Sequence, residues 1–172
     1  GGTISFAPKV DINNGVATYA IAAGDLDGDG KKDVVVNSGL DQNLSVFRNT
    51  SVSGTISFAA KVDLPATGTV FGIEINDMDG DGKPDLVVVN GLASNFSVYR
   101  NTSSGPGNIS FAAKTDFPAG TYPRNILVAD FDADGLPDVA VSNNLSYNFV
   151  ILRNTSTSGN ISFNTLGATV VS

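Results

Sequence analysis

Apolar residues fall along this chain in short runs, four to a repeat, and no segment sustains the 3.6-residue period of an amphipathic helix. One run leads into an acidic loop: "TYAIAAGD", "VFGIEIND" and "PRNILVAD", ending at Asp25, Asp77 and Asp130. A second leaves that loop as "DVVVN", "DLVVVN" and "DVAVS". β-Branched residues with little polar alternation are what a strand covered on both faces requires. The third, "NLSVFRN", "NFSVYRN" and "NFVILRN", alternates more cleanly and stops at Asn-Thr-Ser, a turn former. The fourth is "ISFAAKVD" or a relative, running into Gly- and Pro-containing links such as "LPATG" and "FPAGTYP". The pattern predicts an all-β chain with one four-stranded sheet per repeat.

The first aspartates of the loops are 52 and 53 residues apart, and Arg48, Arg100 and Arg153 keep the same offset. Sheets that are apolar on both faces bury themselves by stacking on the next sheet, and blades around an axis are one solution. Propellers close with about four to eight blades; this chain carries three repeats, so it reads as an arc of a longer chain or as a subunit that others complete. Residues 3–11, "TISFAPKVD", match 55–63, "TISFAAKVD", at all but Pro8, which suits an outer edge. The predicted division is a spare outer strand over 1–14 and repeats over 15–66, 67–118 and 119–172. The last fourth strand keeps "ISF" and then drifts into "NTLGATVVS".

The loops read "DLDGDGKKD", "DMDGDGKPD" and "DFDADGLPD". Oxygen ligands at positions 1, 3 and 5, a turn glycine at 6 and a backbone carbonyl at 7 are how a short loop wraps Ca²⁺. The carboxylates are Asp25, Asp27 and Asp29; Asp77, Asp79 and Asp81; Asp130, Asp132 and Asp134. The carbonyls belong to Lys31, Lys83 and Leu136, and position 9 adds Asp33, Asp85 and Asp138. Position 12 holds Val36, Val88 and Val141 where an EF-hand has Glu, and the flanks are strands. A single such loop also reads as a hairpin turn; three copies at one spacing favour metal. Hard oxygen donors point to Ca²⁺, three sites in all, with Mg²⁺ the other hard-cation candidate. Copy three has Ala133 in place of glycine at position 4, which is expected to strain its turn.

Composition narrows the chemistry. The 172 residues include no cysteine, histidine or tryptophan, which excludes disulfides, thiolate zinc sites and any imidazole acid or base. The formal charge is −7, and nucleic acid would want a basic stripe instead. Three divalent ions would offset six of those charges. No apolar run is long enough for a membrane-spanning helix, and the first residues lack signal-peptide character. The chain opens at Gly1 rather than Met, as expected of a processed or excised segment.

At "DxDxDGxxD" followed by "DVVV" or "DLVVV", the chain resembles the FG-GAP or VCBS repeats that build integrin-α-like β-propellers. The resemblance extends over essentially the whole chain and implies that the calcium loop joins the two innermost strands of each blade. It further implies an extracellular or cell-surface protein for adhesion or carbohydrate binding, with structural calcium. Integrin-like propellers have seven blades, so three is a departure.

Outside the loops, the acids are Asp11, Asp41, Asp63, Asp116 and Glu74, and no acid/base pair stands out, so no catalysis is expected. Glu74 stands where other repeats have Ala22 and Leu127, and Arg124 where they have Tyr19 and Phe71; either could face a ligand or simply solvent. The segments "NSGLDQ", "NGLASN" and "NNLSYN" differ most between repeats, and Asn43, Asn95, Tyr147 and Asn148 could meet a glycan or serve only as turn residues. Sequons occur at Asn43, Asn49, Asn95, Asn101, Asn108, Asn144, Asn154 and Asn160. Self-association into a ring or fibre through the spare strand is the structural alternative, set against missing blades of a longer chain.

Overall fold

The structure, a computed structural model, describes residues 3–37 and 42–164. Sheet 1 comprises β1 (Ile21–Gly24), β2 (Asp33–Asn37), β3 (Asn43–Phe47) and β4 (Val62–Pro65). Sheet 2 comprises β5 (Val70–Asn76), β6 (Asp85–Asn90), β7 (Asn95–Tyr99) and β8 (Thr115–Pro118). Sheet 3 comprises β9 (Pro123–Ala129), β10 (Asp138–Asn143), β11 (Asn148–Asn154) and β12 (Phe163–Asn164). Within each sheet the strands follow chain order, all antiparallel. The architecture is all-β and fits propeller-like blade repeats. Up-and-down order places the acidic loops and the β3–β4, β7–β8 and β11–β12 connections at one rim.

β6 shows why its run lacks alternation: every residue in it is buried. Leu86 and Val88 pack with Leu26, Val35, Leu44 and Val46 of sheet 1, while Val87 and Val89 pack with Ile126, Val139 and Val141 of sheet 3. Each such side chain contributes about 1.5–3 kcal/mol on leaving water, so the middle sheet is held from both sides. The inner strands approach closely. A Cβ on Gly72 of β5 would stand 3.3 Å from both Ile126 Cγ2 and the Ile126 amide nitrogen of β9, a spacing that suits glycine.

Two expectations change in detail. The fourth strand does not run straight from Ile56 or Ile109: Asn49 bridges Phe58 while Val46 pairs with Val62, which leaves one extra residue on the outer strand. The same offset separates Asn101↔Phe111 from Val98↔Thr115. This is a β-bulge, which bends the outer strand near the loop rim. The spare N-terminal segment forms no strand: residues 3–14 join no sheet, and Ile4 is 86% and Phe6 93% exposed, while Asn14 Nδ2 donates to the Asn37 carbonyl at 3.4 Å. Its twin at 55–63 follows β3 and a turn and folds back on them. Asp41, most of "NSGLDQ" and the tail "TLGATVVS" lie outside the described residues.

Candidate metal centres

Each acidic loop wraps its own first aspartate. Asp25 Oδ1 accepts hydrogen bonds from the amides of Gly28 (2.8 Å) and Asp29 (3.1 Å), and Oδ2 accepts from Gly30 (2.8 Å). Asp77 does the same with Gly80, Asp81 and Gly82 at 2.9, 3.2 and 2.8 Å. Gly28 and Gly80 adopt φ of 75° and 71°, and Gly30 and Gly82 of 85° and 84°, which is the left-handed backbone that glycine takes at no cost. The position-9 carboxylates are buried and tie the loop to the third strand of the same sheet. Asp33, Asp85 and Asp138 accept the amides of Leu26, Met78 and Phe131 on one oxygen, and of Asn49, Asn101 and Asn154 on the other.

Three carboxylates come together in every loop with oxygens within 4.8 Å of one another: Asp25, Asp27 and Asp29; Asp77, Asp79 and Asp85; Asp130, Asp132 and Asp138. Loop 1 thus gathers its position-5 acid, and loops 2 and 3 their position-9 acid. At that separation each ionised pair repels by at least about 3 kcal/mol with an effective dielectric near 20. An all-oxygen cluster of this kind fits a hard divalent cation. Asp29 is held below the usual carboxylate range by the Lys31 amide and ammonium.

The loops also reach the next sheet. Asp27 Oδ2 accepts the Gly107 amide at 2.7 Å, and Asp79 Oδ2 accepts the Gly159 amide at 2.7 Å. In return, Asn101 Nδ2 donates to the Leu26 carbonyl (2.9 Å) and Asn154 Nδ2 to that of Met78 (2.8 Å). The second amide hydrogens go to the carbonyls of Pro84 and Pro137, both at 2.9 Å. Asn101 and Asn154, two of the sequon asparagines, are buried with both amide hydrogens committed. Their role as inter-sheet clamps was not legible; the only signal was their fixed repeat position.

Loop 3 is looser. Ala133 sits at φ 62°, a conformation that costs a non-glycine residue about 1–2 kcal/mol. Among the described residues no amide donates to Asp130 Oδ1, whereas Gly135 still donates to Oδ2 at 3.0 Å. Arg153 binds Asp132 and, at 2.7 Å, Asp134. Ala133→Gly is therefore expected to raise stability by about 1 kcal/mol and to tighten cation binding at loop 3 alone, as read by thermal melts and calcium titration.

Burial, aided by the nearby Asp79 and Asp81 and opposed by two backbone amides that favour the ionised form, pushes the Asp85 carboxyl up to about 7. In metal-free protein this raised value makes a stabilising contribution that is complete below about pH 4 and is lost as pH rises through about 7. A cation needs the ionised carboxylate, so affinity at loop 2 is expected to fall about tenfold per pH unit below 7. Calcium titrations from pH 5 to 8 check this; Asp85→Asn should abolish the dependence at loop 2.

A family profile described as FG-GAP-like repeat matches the sequence three times, over residues 1–36, 25–88 and 77–141. The chain belongs to the FG-GAP-like repeat family. The second and third matches begin at the first aspartate of one loop and end in the strand after the next loop. The family unit thus links neighbouring sheets through the outer strands. No curated protein matches the chain.

The other candidate residues of this FG-GAP-like chain scatter. Glu74 is half-buried on β5, its carboxyl raised by desolvation. Arg124 lies over the rings of Phe71 (4.3 Å) and Tyr122 (4.7 Å), with Tyr19 beside Phe71, on the rim away from the acidic loops. Tyr147 is exposed on that rim, while Asn95 and Asn148 accept hydrogen bonds from Asn90 and Asn143, as turn residues do. Asp11, Asp63 and Asp116 each pair with the lysine two residues earlier.

Proposed function

We propose that this is a non-catalytic, extracellular or cell-surface recognition module whose repeats are clamped by structural calcium, one ion per loop. The observation that carries it is the recurrence, at one repeat position, of three carboxylates within 4.8 Å in a chain without histidine or cysteine. When bound, calcium would neutralise the charge of the cluster. The chain's own part is to present Asp25, Asp27, Asp29 and Asp33, with the Lys31 carbonyl, and their counterparts in loops 2 and 3. Millimolar calcium outside cells would keep such sites filled, which supports the location. The Tyr19–Phe71–Tyr122–Arg124 rim offers ring faces and a guanidinium to a glycan or protein ligand. Calorimetric titration should give three calcium ions per chain, and a glycan array run with calcium should lose its signal on Phe71→Ala. Absence of calcium binding would overturn the clamp; an empty array would overturn the glycan ligand.

A second reading, an assembling subunit, is favoured by the exposed apolar residues Phe149 and Ile151 on sheet 3 and Ile21 on sheet 1.

A further inference from the structure

We infer that the cleft between the outer strands of sheets 1 and 2 binds a small aryl carboxylate, whose ring takes the place that a phenylalanine fills in the next joint and whose anion pairs with Arg48. The site lies between two repeats of the chain, apart from the ring-lined rim, and goes beyond the recognition reading above. Val46 and Leu64 of sheet 1, with Ile109 and Phe111 of the segment leading to β8, wall an open hollow of about 280 Å³ that Arg48 also lines. Small-molecule pockets begin at about that size, near 300 Å³.

The hollow has a cause in the sequence. Leu44 and Leu64, paired across β3 and β4, become Phe96 and Phe117 in the next repeat, paired in the same way across β7 and β8. There the rings of Phe96 and Phe117 stack with centroids 5.3 Å apart, and Phe163, the counterpart of Phe111, meets Phe117 edge-on at 4.8 Å. The other apolar walls are alike, with Val98 for Val46 and Ile161 for Ile109. Two leucines in place of two phenylalanines thus leave the room of an aromatic ring beside Phe111, which is half-buried where Phe163 is buried. Interiors are packed closely and rings meet edge to face, so a ring from outside completes what the next joint completes from within.

The charge has a separate cause. Arg100 reaches Asp81 of its own loop at 3.7 Å, and Arg153 reaches Asp134 at 2.7 Å. In repeat 1 the corresponding acid, Asp29, is taken by Lys31 at 3.2 Å. Arg48 therefore makes no ion pair and no side-chain hydrogen bond among the described residues, and acts on Asp29 only through space. The other repeats leave their acid to the arginine: Lys83 donates instead to the Ser103 carbonyl at 2.9 Å, and repeat 3 has Leu136 at that position. A guanidinium without a partner beside an apolar hollow selects a carboxylate, which it can hold by two parallel N–H donors. A doubly charged phosphate ester is disfavoured by the acidic loop alongside and by the chain charge of −7.

The test titrates the whole chain, in millimolar calcium, with 3-phenylpropionate and follows backbone amide shifts by NMR. A ligand of about eleven non-hydrogen atoms should bind with a Kd of about a millimolar or tighter. Saturable shifts are expected at Ile109 and Ser110 and none at their counterparts Ile161 and Ser162. Leu64→Phe, which installs the residue of the next repeat, should remove binding. Arg48→Gln should weaken it at least about tenfold, and the neutral 3-phenylpropanamide should bind wild type at least about tenfold more weakly than the acid. Melting midpoints verify that both variants fold, and Arg48→Gln, at a partly exposed side chain, stands alone should Leu64→Phe overpack. No saturable shift at Ile109 and Ser110 by about 20 mM acid would overturn the site. Equal binding of acid and amide, or Arg48→Gln that binds like wild type, would overturn the anion; wild-type binding by folded Leu64→Phe would overturn the place of the ring.

Discussion

Chelating calcium is expected to lower the melting temperature by about 15–30 °C. A ligand present at about a hundred times its Kd stabilises the folded state by about 2.7 kcal/mol, so three loops together would supply about 8 kcal/mol. That is comparable with the whole stability of an ordinary domain, about 5–15 kcal/mol. For a chain of this length each 1 kcal/mol moves the midpoint by about 2–4 °C. The origin is local: carboxylates within 4.8 Å repel when no cation lies among them. Their effect is not local, because Asp27 and Asp79 also hold the Gly107 and Gly159 amides of the following sheet. Loosening a loop therefore loosens a stacking interface. Asp79→Ala should accordingly cost more than Asp132→Ala, whose counterpart contact is a partly exposed ion pair with Arg153. Differential scanning calorimetry in calcium and in excess chelator decides the matter; midpoints within a few degrees of each other would refute the clamp.

The parts of this architecture readable from sequence are those fixed by near neighbours. An apolar run without alternation at 85–90 announced a strand buried on both faces, and β6 is one. Glycines at loop positions 4 and 6 announced the left-handed turns, and Ala133 announced the strained one. Whatever depends on a partner far along the chain was not legible. The extra residue between Phe58 and Val62 has no signature of its own, since a bulge is defined by what lies opposite. Residues 3–11 carry the composition of a strand yet form none, because strand formation needs a neighbour as well as a pattern. Gly107 and Gly159 read as turn glycines, and nothing within their own repeats foretells the carboxylate 80 residues upstream. Arg124 departs from Tyr19 and Phe71 at its repeat position, but its place over the rings of Phe71 and Tyr122 depends on the inner strands lying side by side.

The same non-locality makes Asn101, like Asn154, a sensitive polar position. Its side chain is fully buried and makes three hydrogen bonds: to the carbonyls of Leu26 and Pro84, both 2.9 Å, and from the Ser103 amide at 2.8 Å. Truncation to alanine strands all three groups away from water. A buried group left unpaired costs about 1–3 kcal/mol, so with partial relaxation Asn101→Ala should lose about 3–4 kcal/mol. Asn101→Asp should be worse still despite its matching shape, because a carboxylate would face two carbonyl oxygens with no hydrogen to give. Asn49 supplies the internal control: it occupies the same repeat position and keeps the bonds to Lys32 and Ser51, but is only half-buried, and has no preceding loop among the described residues. Its alanine variant should cost under about 1 kcal/mol, since water can replace what is lost. Urea unfolding in calcium should show the Asn101→Ala midpoint well below that of Asn49→Ala. Calcium affinity at loop 1 should fall with it, because Leu26, the residue Asn101 holds, lies inside that loop. Equal costs at the two positions would mean that the clamp between sheets contributes nothing beyond an ordinary turn.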